Sequence, residues 1–374
     1  MKILYVTTIS QTMNSFFKPH IKMLVEEGHQ VDIACNYNDL ALDSLYSELG
    51  CNFHQIDFSR SPLSLSNIKA CKQLKDVVKK GEYDIVHCHT PNAAAVTRLV
   101  CRKFRKKNNL KVFYTAHGFH FYKGAPLKNW GIYYPIEKIC SYFTDVILTM
   151  NQEDYMLATR KMKSKTVKYV HGVGLDVSKF NNVKVDRKDK RHEISVPNDS
   201  VLLISVGELI KRKNHEVILR SLARINNPNL HYAIVGKGPL LDELKVMVDE
   251  LNIEDKVHFL GYRRDVPELY KVSDLCCFPS VHEGLPVALM EAMACGLPVV
   301  CSDIRGNNDL ITNEESGFLV KTYDIDGYVN AINRIVEEDD LKVAFSEKSL
   351  SNVQGFRTEV VLEEIKRFYD EAFN

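Results

Sequence analysis

Short apolar runs rich in β-branched and aromatic residues alternate with amphipathic helical stretches along most of this chain. Runs of this kind, bounded by helices, are typical of parallel strands that are buried on both faces. The first half contains seven predicted strands, which are KILYVTT (2–8), VDIAC (31–35), NFHQI (52–56), DIVHCH (84–89), KVFYTAH (111–117), DVILTM (145–150) and VKYV (167–170). The alternation therefore predicts an α/β fold.

The alternation is interrupted once, at residues 176–199, where the sequence is polar, charged and almost strandless. We interpret this segment as a linker or an exposed connection. The pattern then restarts with six predicted strands, which are VLLISVG (201–207), HYAIVG (231–236), KVHFLG (256–261), DLCCFPS (274–280), LPVVCS (297–302) and GFLV (317–320). Because 374 residues are also long for one core, we predict two doubly wound, Rossmann-like domains.

The predicted boundaries place a first domain at residues 1–172 and a second at 173–353. A C-terminal helix over 354–374 is expected to pack back on the first domain. Ligands of doubly wound sheets bind outside the carboxyl ends of the strands. Two such edges that face each other would form a cleft able to close on a substrate and exclude water.

Charge and cysteine content narrow the classes of protein to consider. A net charge of +1 provides no overall field that would draw the chain to nucleic acid. The ten cysteines include no C-x-x-C pair, and buried thiols in a reducing cytoplasm are the simplest interpretation. We see no signal-peptide pattern and no stretch near the roughly 20 apolar residues of a membrane span. We expect a cytoplasmic protein, with any membrane contact peripheral.

The segment FPSVHEGLPVALMEAMACGLPVVCS (278–302) has the sequence of a strand, a turn and a helix. Gly284 gives the turn backbone freedom, and Pro286 suits the first turn of a helix predicted at about 287–295. The backbone N–H groups of Gly284, Leu285 and the following turn would point at a ligand above the helix. Such a helix N-terminus favours anions and would suit a diphosphate.

Two glutamates, Glu283 and Glu291, bracket this turn and helix. A carboxylate is unsuited to a phosphate but accepts two O–H donors at once, which suits a sugar diol. Glu291 is therefore predicted to bind a nucleotide ribose, and Glu283 the hydroxyl groups of a donor sugar. A capped amphipathic helix with surface glutamates is the alternative interpretation.

A second loop precedes a helix in VGELIKRKNHEVIL (206–219), and it carries three consecutive basic residues. Cations just before a helix N-terminus oppose the helix dipole, so a bound anion explains them better than helix stability does. Lys213 is the best placed of them for a diphosphate, with Arg212 beside it and Gly207 at the strand end. A solvated run of charges is the alternative.

The loop TAHGFHFYKGAP (115–126) follows a predicted strand and is rich in aromatic residues. His117 lies at the carboxyl edge of that strand, where it would face the predicted cleft. The aromatic side chains could line an acceptor pocket or contact lipid, and the predicted acceptor-binding residues are Phe119, His120, Tyr122 and Lys123. A structural histidine and a local aromatic core are the alternatives.

Metal and dinucleotide patterns are weak in this sequence. The two histidines of HCH (87–89) share one face of a strand but lack further ligands at a recognisable spacing. Asp324 and Asp326 fit a D-x-D metal pattern, yet they precede a helical stretch where an aspartate N-cap is the better explanation. IVGKGP (234–239) lacks the third glycine of a dinucleotide loop.

A basic run, RLVCRKFRKKNN (98–109), lies on a predicted helix and its end. A solvated face is the commoner outcome for such a run. Alternatively, it could contact anionic lipid headgroups, at roughly 1 kcal/mol for each basic residue near the surface. The residues predicted for that contact are Arg98, Arg102, Lys103, Arg105, Lys106 and Lys107.

These motifs together resemble glycosyltransferase family 4, a retaining family. EGLPVALMEAMACGLPVV, with Glu283 and Glu291, resembles its Glu-x7-Glu signature, and VGELIKRKN resembles its glycine–lysine donor loop. TAHGFHFYKGAPLKNWGIYYPIEK resembles the branch that builds bacterial capsule, exopolysaccharide and lipid-linked glycans, and YVHGVGLDVSKF resembles the family's inter-domain junction. The resemblance covers nearly the whole chain.

The resemblance implies a GT-B fold, with the acceptor in the first domain and the donor in the second. It implies metal-independent transfer, without a cofactor, of a hexose or N-acetylhexosamine from a nucleotide sugar, with UDP favoured by family frequency. The acceptor would be a lipid-linked or growing glycan at the inner membrane face. By analogy, the donor site comprises Gly207, Arg212, Lys213, Glu283, Gly284, Leu285, Pro286 and Glu291, and the catalytic residues are His117, Lys213 and Glu283.

The sequence departs from the family pattern at two positions. Glu208 stands where the donor loop commonly has arginine, so that either Arg212 supplies the missing charge or Lys213 acts alone. His171 stands where the junction usually has asparagine. Two other functions stay open at this point, a GT-B sugar-nucleotide epimerase and a non-catalytic glycan- or lipid-binding module at a membrane.

Overall fold

The computed structural model describes residues 1–61, 64–107 and 109–373, without the side chains of residues 106 and 107. The described chain divides into two compact units. Residues 1–174 and 358–374 form the first unit, and residues 175–357 form the second. Each unit is built around one parallel β-sheet.

The first unit contains a seven-stranded sheet in the order β3-β2-β1-β4-β5-β6-β7. Every neighbouring pair in it is parallel. The strands are β1 (Lys2–Ile9), β2 (Gln30–Asn36), β3 (Asn52–Gln55), β4 (Ile85–His89), β5 (Lys111–Ala116), β6 (Val146–Thr149) and β7 (Thr166–Tyr169). All seven predicted strands are confirmed; the five inner ones are largely buried, whereas the edge strands β3 and β7 are partly exposed.

Seven helices of this unit connect the strands or follow them. They are α1 (Ser10–Phe16), α2 (Lys18–Glu26), α3 (Ser44–Glu48), α4 (Ser66–Gly81), α5 (Pro91–Lys107), α6 (Leu127–Ser141) and α7 (Gln152–Lys161). The strand order reverses direction between β1 and β4, so the crossovers leave the sheet in opposite directions there. This switch point is where doubly wound sheets usually bind ligands.

The second unit contains a six-stranded parallel sheet in the order β10-β9-β8-β11-β12-β13, with its switch point between β8 and β11. Its strands are β8 (Val201–Val206), β9 (Leu230–Val235), β10 (Val257–Gly261), β11 (Leu275–Phe278), β12 (Val299–Ser302) and β13 (Phe318–Val320). Its helices are α8 (Ser178–Asn181), α9 (Arg187–Glu193), α10 (His215–Arg224), α11 (Leu241–Leu251), α12 (Val266–Lys271), α13 (Val287–Ala294), α14 (Ile325–Glu337) and α15 (Asp339–Asn352). Short 3₁₀ turns lie at Lys211–Lys213, Glu254–Lys256 and Val353–Phe356.

The last helix, α16 (Thr358–Glu371), belongs to the first unit and packs against α2. The hydroxyl of Tyr369 lies 2.5 Å from Nδ1 of His87 in β4. The Glu364 carboxylate accepts a hydrogen bond from the backbone N–H of His171 at 3.1 Å, and His171 Nδ1 lies 2.7 Å from its other oxygen. The histidine at the junction is therefore held by this helix.

The segment 176–199 is a folded part of the second unit, so its interpretation as a linker or an exposed connection is wrong. It contains α8 and α9, and Phe180 and Ile194 are buried in the core. Arg191 is also buried, and its guanidinium binds Asp274 Oδ2 at 2.7 Å. The same side chain donates to four main-chain carbonyls, those of Val272, Pro197, Asn198 and Ser200.

The basic run on α5 is only partly a surface feature. Arg98 is 0% exposed, and it donates to Glu137 Oε2 at 2.8 Å beneath α6. Arg105 binds the Asp145 carboxylate with two nitrogens, at 2.7 and 2.8 Å. The prediction that Arg98 contacts a membrane is therefore wrong, and the side chains of Lys106 and Lys107 lie outside the described residues. No helix within the described ranges is both long and apolar enough to span a bilayer.

We expect Arg191→Met to lower the free energy of unfolding by about 3 kcal/mol, because Asp274 and four carbonyls lose a buried donor. Arg187→Met is the matched control. It removes a more exposed guanidinium from the same Asp274 carboxylate, 2.9 Å away, and should cost less than about 1 kcal/mol. Urea unfolding followed by circular dichroism measures both, and equal losses would contradict the anchoring role of Arg191.

Candidate functional site

In the second unit, two loops meet at the switch point of the sheet. Strands β8 and β11 are neighbours, with Ile204 paired to Cys276. One loop leaves β8 at Gly207, and the other leaves β11 and ends where α13 begins. The backbone N–H of Val281 donates to the carbonyl of Arg212 at 2.7 Å, which fastens the two loops together. The predicted donor-binding residues of both motifs are therefore brought to one edge of one sheet.

An ion-pair group occupies the junction of these loops. The Lys213 ammonium donates to Glu283 Oε1 at 2.7 Å, and Arg212 Nη1 donates to the same oxygen at 2.5 Å. Arg212 also donates to the carbonyl of His282 at 3.2 Å. Glu208 is exposed on the same loop, so Arg212 is the residue that brings a guanidinium to this carboxylate.

Burial and charge act against each other in this group. Burial would raise the pKa of the Glu283 carboxyl, but the charges of Lys213 and Arg212 outweigh it and hold that pKa below its usual value. Burial lowers the pKa of the Lys213 ammonium, and the Glu283 charge partly opposes that effect. The site is thus a half-buried place where two cations and one carboxylate stay charged by pairing.

Two glycines let backbone and side chain approach closely beneath this group. A Cβ atom on Gly207 would lie 3.1 Å from Lys213 Cε, so the lysine stem lies directly over the strand end. A Cβ atom on Gly236, whose φ is +152°, would lie 1.9 Å from the Gly207 carbonyl oxygen. The G-x-G of IVGKGP is therefore explained by close packing of two loops, because only glycine fits there.

A third loop supports the site and was missed by sequence reasoning. Arg305 is buried, and its Nε donates to the backbone carbonyl of Glu283 at 3.1 Å. A Cβ atom on Gly306 would lie 2.4 Å from the Gly284 carbonyl oxygen. The only sequence signal was a polar arginine–glycine pair just after strand β12, which by itself is common in loops.

The helix α13 follows Pro286, close to the predicted start, and ends before Gly296. Glu291 lies in the middle of this helix and is half-buried. Burial raises the pKa of its carboxyl to about 7. Within the described part of the chain, this carboxyl has no hydrogen-bond or ionic partner, unlike Glu283. A half-buried carboxyl without a partner is what a pair of ligand hydroxyl groups would satisfy.

In the first unit, a cavity of 260 Å³ lies at the other switch point. It is open between the ends of β1 and β4, and its walls include the first turn of α5. The Thr8 and Thr90 hydroxyls lie 2.6 Å apart at its base. The lining residues are Thr8, Ile9, Thr12, Arg60, Thr90, Pro91, Asn92, His120 and Tyr133. The cavity is thus lined by hydroxyl, amide and aromatic groups and by one cation.

That cation, Arg60, is held in place through its backbone. The Asn92 amide donates to the Arg60 carbonyl at 2.6 Å and to the Ser59 carbonyl at 3.0 Å. Among the residues described, the guanidinium of Arg60 has no carboxylate or carbonyl partner. A free guanidinium beside the N-terminus of a 17-residue helix makes this end of the cavity suited to an anion. Sequence reasoning missed Arg60, because it stands alone in a serine-rich loop.

His117 directly follows β5 and belongs to a group of histidines around Tyr5 and Phe17. Its Nε2 lies 3.2 Å from Nδ1 of His89, and the His89 ring stacks on Tyr5 with centroids 4.6 Å apart. Burial, followed by the nearby His20, lowers the pKa of His117 to about 4. The HCH histidines are therefore held by aromatic packing and hydrogen bonds, and His117 is neutral at neutral pH.

The predicted acceptor-binding residues separate in the structure. His120 lines the cavity and stacks on Tyr133, with ring centroids 4.4 Å apart. Phe119 is only 3% exposed and stacks on Phe121 in the core, so the prediction that its side chain binds the acceptor is corrected. Tyr122 and Lys123 lie further along the loop, where the Lys123 N–H donates to Glu153 at 2.7 Å. The loop is thus tied to the start of α7.

The D-x-D pattern is part of a helix start. Asp324 Oδ1 accepts a hydrogen bond from the Gly327 N–H at 2.9 Å and so caps α14, as the sequence predicted. Asp326 pairs instead with Arg224 at 2.6 Å. The two carboxylates therefore have separate structural partners.

The chain is similar to known glycosyltransferases in both of its halves. Residues 2–151 match the family "Glycosyl transferase 4-like", and residues 186–351 match "Glycosyl transferases group 1". The putative glycosyltransferase EpsD of Bacillus subtilis (strain 168) is 32% identical, over 98% of this chain and 96% of that protein. The UDP-Gal:alpha-D-GlcNAc-diphosphoundecaprenol alpha-1,3-galactosyltransferase of Escherichia coli is 28% identical, over 93% and 90%.

A solved structure resembles this chain over its whole length. HepE of Anabaena, crystallised in complex with UDP, has a TM-score of 0.81 at 18% identity, with 99% of this chain and 100% of that chain covered. Sucrose-phosphate synthase from Thermosynechococcus elongatus has the same TM-score at 19% identity, with 100% and 99% covered. At this level of identity the similarity is one of fold.

We expect the imidazole of His117 to titrate near pH 4 rather than near the ordinary histidine value of about 6.5. Since the folded protein binds this proton more weakly than the unfolded chain, its contribution to stability should be lost as the pH falls from about 6.5 towards 4. NMR of the histidine ring signals, assigned with His117→Gln, measures the midpoint. A His117 midpoint near 6.5 would contradict the buried, neutral state.

Proposed function

Because the chain belongs to the group 1 glycosyltransferases and has the GT-B fold, we propose that it is a retaining transferase for a lipid-linked or growing glycan. The donor would be a UDP-linked hexose or N-acetylhexosamine. The galactosyltransferase of Escherichia coli supports this choice of acceptor, since its name specifies a GlcNAc-diphosphoundecaprenol acceptor. The product would contribute to a surface polysaccharide made at the cytoplasmic face of a membrane.

The observation that carries the proposal is the ion-pair group at the second switch point. Lys213 and Arg212 both donate to the Glu283 carboxylate. A diphosphate is a stronger partner for both cations, because it carries more charge and more acceptor oxygens. When the cations turn to the diphosphate, Glu283 is released to accept hydroxyl groups of the donor sugar. The pairing therefore keeps the two cations and the carboxylate charged in a half-buried place.

The proposed reaction depends on stabilising the negative charge that develops on the leaving diphosphate. As the glycosidic bond breaks, the leaving diphosphate gains charge that Lys213, Arg212 and the N-terminus of α13 would stabilise. The proposal therefore needs no metal ion and no cofactor. We propose a front-side path in which the leaving phosphate takes the proton of the acceptor hydroxyl. The neutral His117 would orient a hydroxyl group rather than remove its proton.

The first unit would hold the acceptor at its own switch point. Threonine and asparagine side chains in the cavity offer hydrogen bonds to sugar hydroxyls, and the His120–Tyr133 stack offers a flat apolar wall. Arg60 and the start of α5 favour an anionic group such as the diphosphate of a lipid carrier. This lining suits a sugar attached to a phosphate better than a neutral oligosaccharide alone.

The donor and the reaction are tested in two steps. A thermal-shift screen of nucleotide sugars finds the donor, because a tight ligand raises stability with its concentration over its Kd. NMR of that donor is then followed with and without a diphosphate-linked glycan acceptor. Transfer with retained anomeric configuration supports the proposal. Conversion of the donor sugar without an acceptor would show an epimerase, and no shift with any donor would show a binding module.

We expect Lys213→Ala to lower turnover at least tenfold, since losing one contact to a developing charge typically costs about 2.7–4 kcal/mol. Lys211→Ala is the matched control, because Lys211 is a neighbouring lysine that is exposed on the same 3₁₀ turn. Initial rates at saturating donor measure both variants. Near-normal turnover in Lys213→Ala would remove this residue from the mechanism.

We expect affinity for a UDP-hexose to rise as the pH increases through about 7, because Glu291 ionises there and then accepts both ribose hydroxyls. The ligand for this experiment is a UDP-hexose rather than UDP, because the terminal phosphate of UDP itself titrates near neutral pH and would obscure the effect of Glu291. Glu291→Gln should bind about tenfold more weakly at pH 8, since a charged hydrogen bond is worth about 1.5–3 kcal/mol, and should lose the pH dependence. Calorimetry at two pH values tests this, with Glu250→Gln as the surface control; unchanged affinity would disprove the ribose role.

A further inference from the structure

The outer face of helix α6 is unusually apolar for a surface. Five large apolar side chains along it and at its end are between 40% and 89% exposed, namely Leu127, Ile132, Ile136, Ile139 and Tyr142. Gly131 and Pro135 are exposed on the same side. We call this set the α6 outer face. An exposed apolar patch of this kind on a folded unit marks an interaction site.

The orientation of the helix is fixed by its other side. Trp130 and Tyr134 pack against Phe121, with ring centroids 5.6 and 5.4 Å away. Glu137 faces inward and accepts hydrogen bonds from Arg98 at 2.8 Å and from the Tyr114 hydroxyl at 3.2 Å. The helix therefore cannot rotate its isoleucines inward without breaking a buried ion pair. A helix that is apolar on both sides needs a second apolar environment on the outside.

Basic side chains border the α6 outer face. Lys128 and Lys138 lie on the helix itself, and its only acidic residue is the buried Glu137. Arg98 and Arg105 on α5 contact α6 or the residue at its end. Arg102 lies on the same side of α5, because residues three and four apart share one face of a helix, and it is exposed.

Two further lysines, Lys161 at the end of α7 and Lys163 just after it, lie near the end of α6. The backbone N–H of Lys163 donates to the Ser141 hydroxyl at 2.8 Å, and Lys161 is exposed two residues earlier. Slight burial, followed by the charges of Lys163 and Lys161, lowers the pKa of Lys138. Basic side chains therefore lie on α6 and near its C-terminal end, beside an apolar centre.

We propose that the α6 outer face rests on the surface of a bilayer that contains anionic lipid. Isoleucine and leucine side chains would enter the boundary between headgroups and acyl chains, while the surrounding lysines reach the phosphates. A rim of one sign complements an anionic lipid surface, whereas a second copy of this chain would bring that rim against itself. The surface differs from the basic run on α5 predicted from the sequence, because its apolar centre lies on α6 and Arg98 of that run is buried.

This inference gives the proposed enzyme a place to work but does not depend on its activity. Vesicle flotation of the full chain, without donor or acceptor, tests it with phosphatidylcholine alone and with added phosphatidylglycerol. We expect binding to the anionic vesicles, and Ile132→Ser with Ile139→Ser should weaken it about tenfold, through lost apolar burial. Val246→Ser with Val343→Ser is the matched control, because these valines are 55% and 58% exposed on α11 and α15.

The charge contribution is tested separately. Lys128→Gln with Lys138→Gln should weaken binding to anionic vesicles about fivefold for each residue, and added salt should do the same. Lys245→Gln with Lys348→Gln, on exposed helix positions of the second unit, should have no such effect.

Three outcomes would overturn the proposal. They are no flotation of the original chain with anionic vesicles, equal flotation of the Ile132→Ser, Ile139→Ser variant, and a dimer in sedimentation that this variant makes monomeric. The last would assign the face to a second copy. Circular dichroism melting of each variant separates lost binding from lost folding. Because flotation measures no turnover, its failure leaves the proposed transfer reaction to be judged by its own assay.

Discussion

Parallel strand pairing is the constraint from which the rest of this molecule follows. A parallel strand must be joined to the next by a crossover, so every strand of a sheet delivers its loop to the same edge. Where the crossovers change direction, two neighbouring loops diverge and leave room between them. In the second unit, that gap places Gly207 beside the loop before α13. In the first unit, it opens the cavity beside Thr8 and Thr90. Both chemical sites are thus consequences of strand order.

Charge in the ion-pair group of the second unit is balanced within the protein itself. Two cations without a partner would cost desolvation energy in a half-buried crevice, and so would one carboxylate. Lys213, Arg212 and Glu283 avoid that cost by sharing one carboxylate oxygen. The Glu291 carboxyl has no cation beside it in the ranges that the structure describes. Burial instead raises its pKa to about 7, so that this carboxyl is partly protonated, and partly uncharged, at neutral pH. Two glutamates that look equivalent in the sequence therefore have pKa values shifted in opposite directions.

Features that depend on a continuous local pattern, such as strands and helices, were predicted correctly from the sequence. Features that depend on contacts between residues far apart in the chain were not. The strands and the helix α13 are confirmed, because apolar runs and local helix signals are contained within a few residues. Segment 176–199 resembled a linker because its many charged residues are typical of exposed chain. The buried partner of Arg191, Asp274, lies 83 residues further along and cannot be recognised from the segment itself. The basic run was predicted to be exposed because nothing near it in the sequence could pair with Arg98 in the interior. Its buried partner, Glu137, lies 39 residues further along. The sequence predicted that Lys213 and Glu283 share a site, but not that they bind each other, since 70 residues separate them.

The contact of α16 with the first sheet has a consequence for the order in which the chain can fold during synthesis. Tyr369 reaches His87 across 282 residues of sequence, and the whole second unit lies between them. A ribosome completes residues 175–357 before it makes the helix that finishes the first unit. The second unit can therefore reach its native state first, while the earlier-made β-sheet waits with one face incomplete. Until then, His87 in β4 lacks its Tyr369 partner.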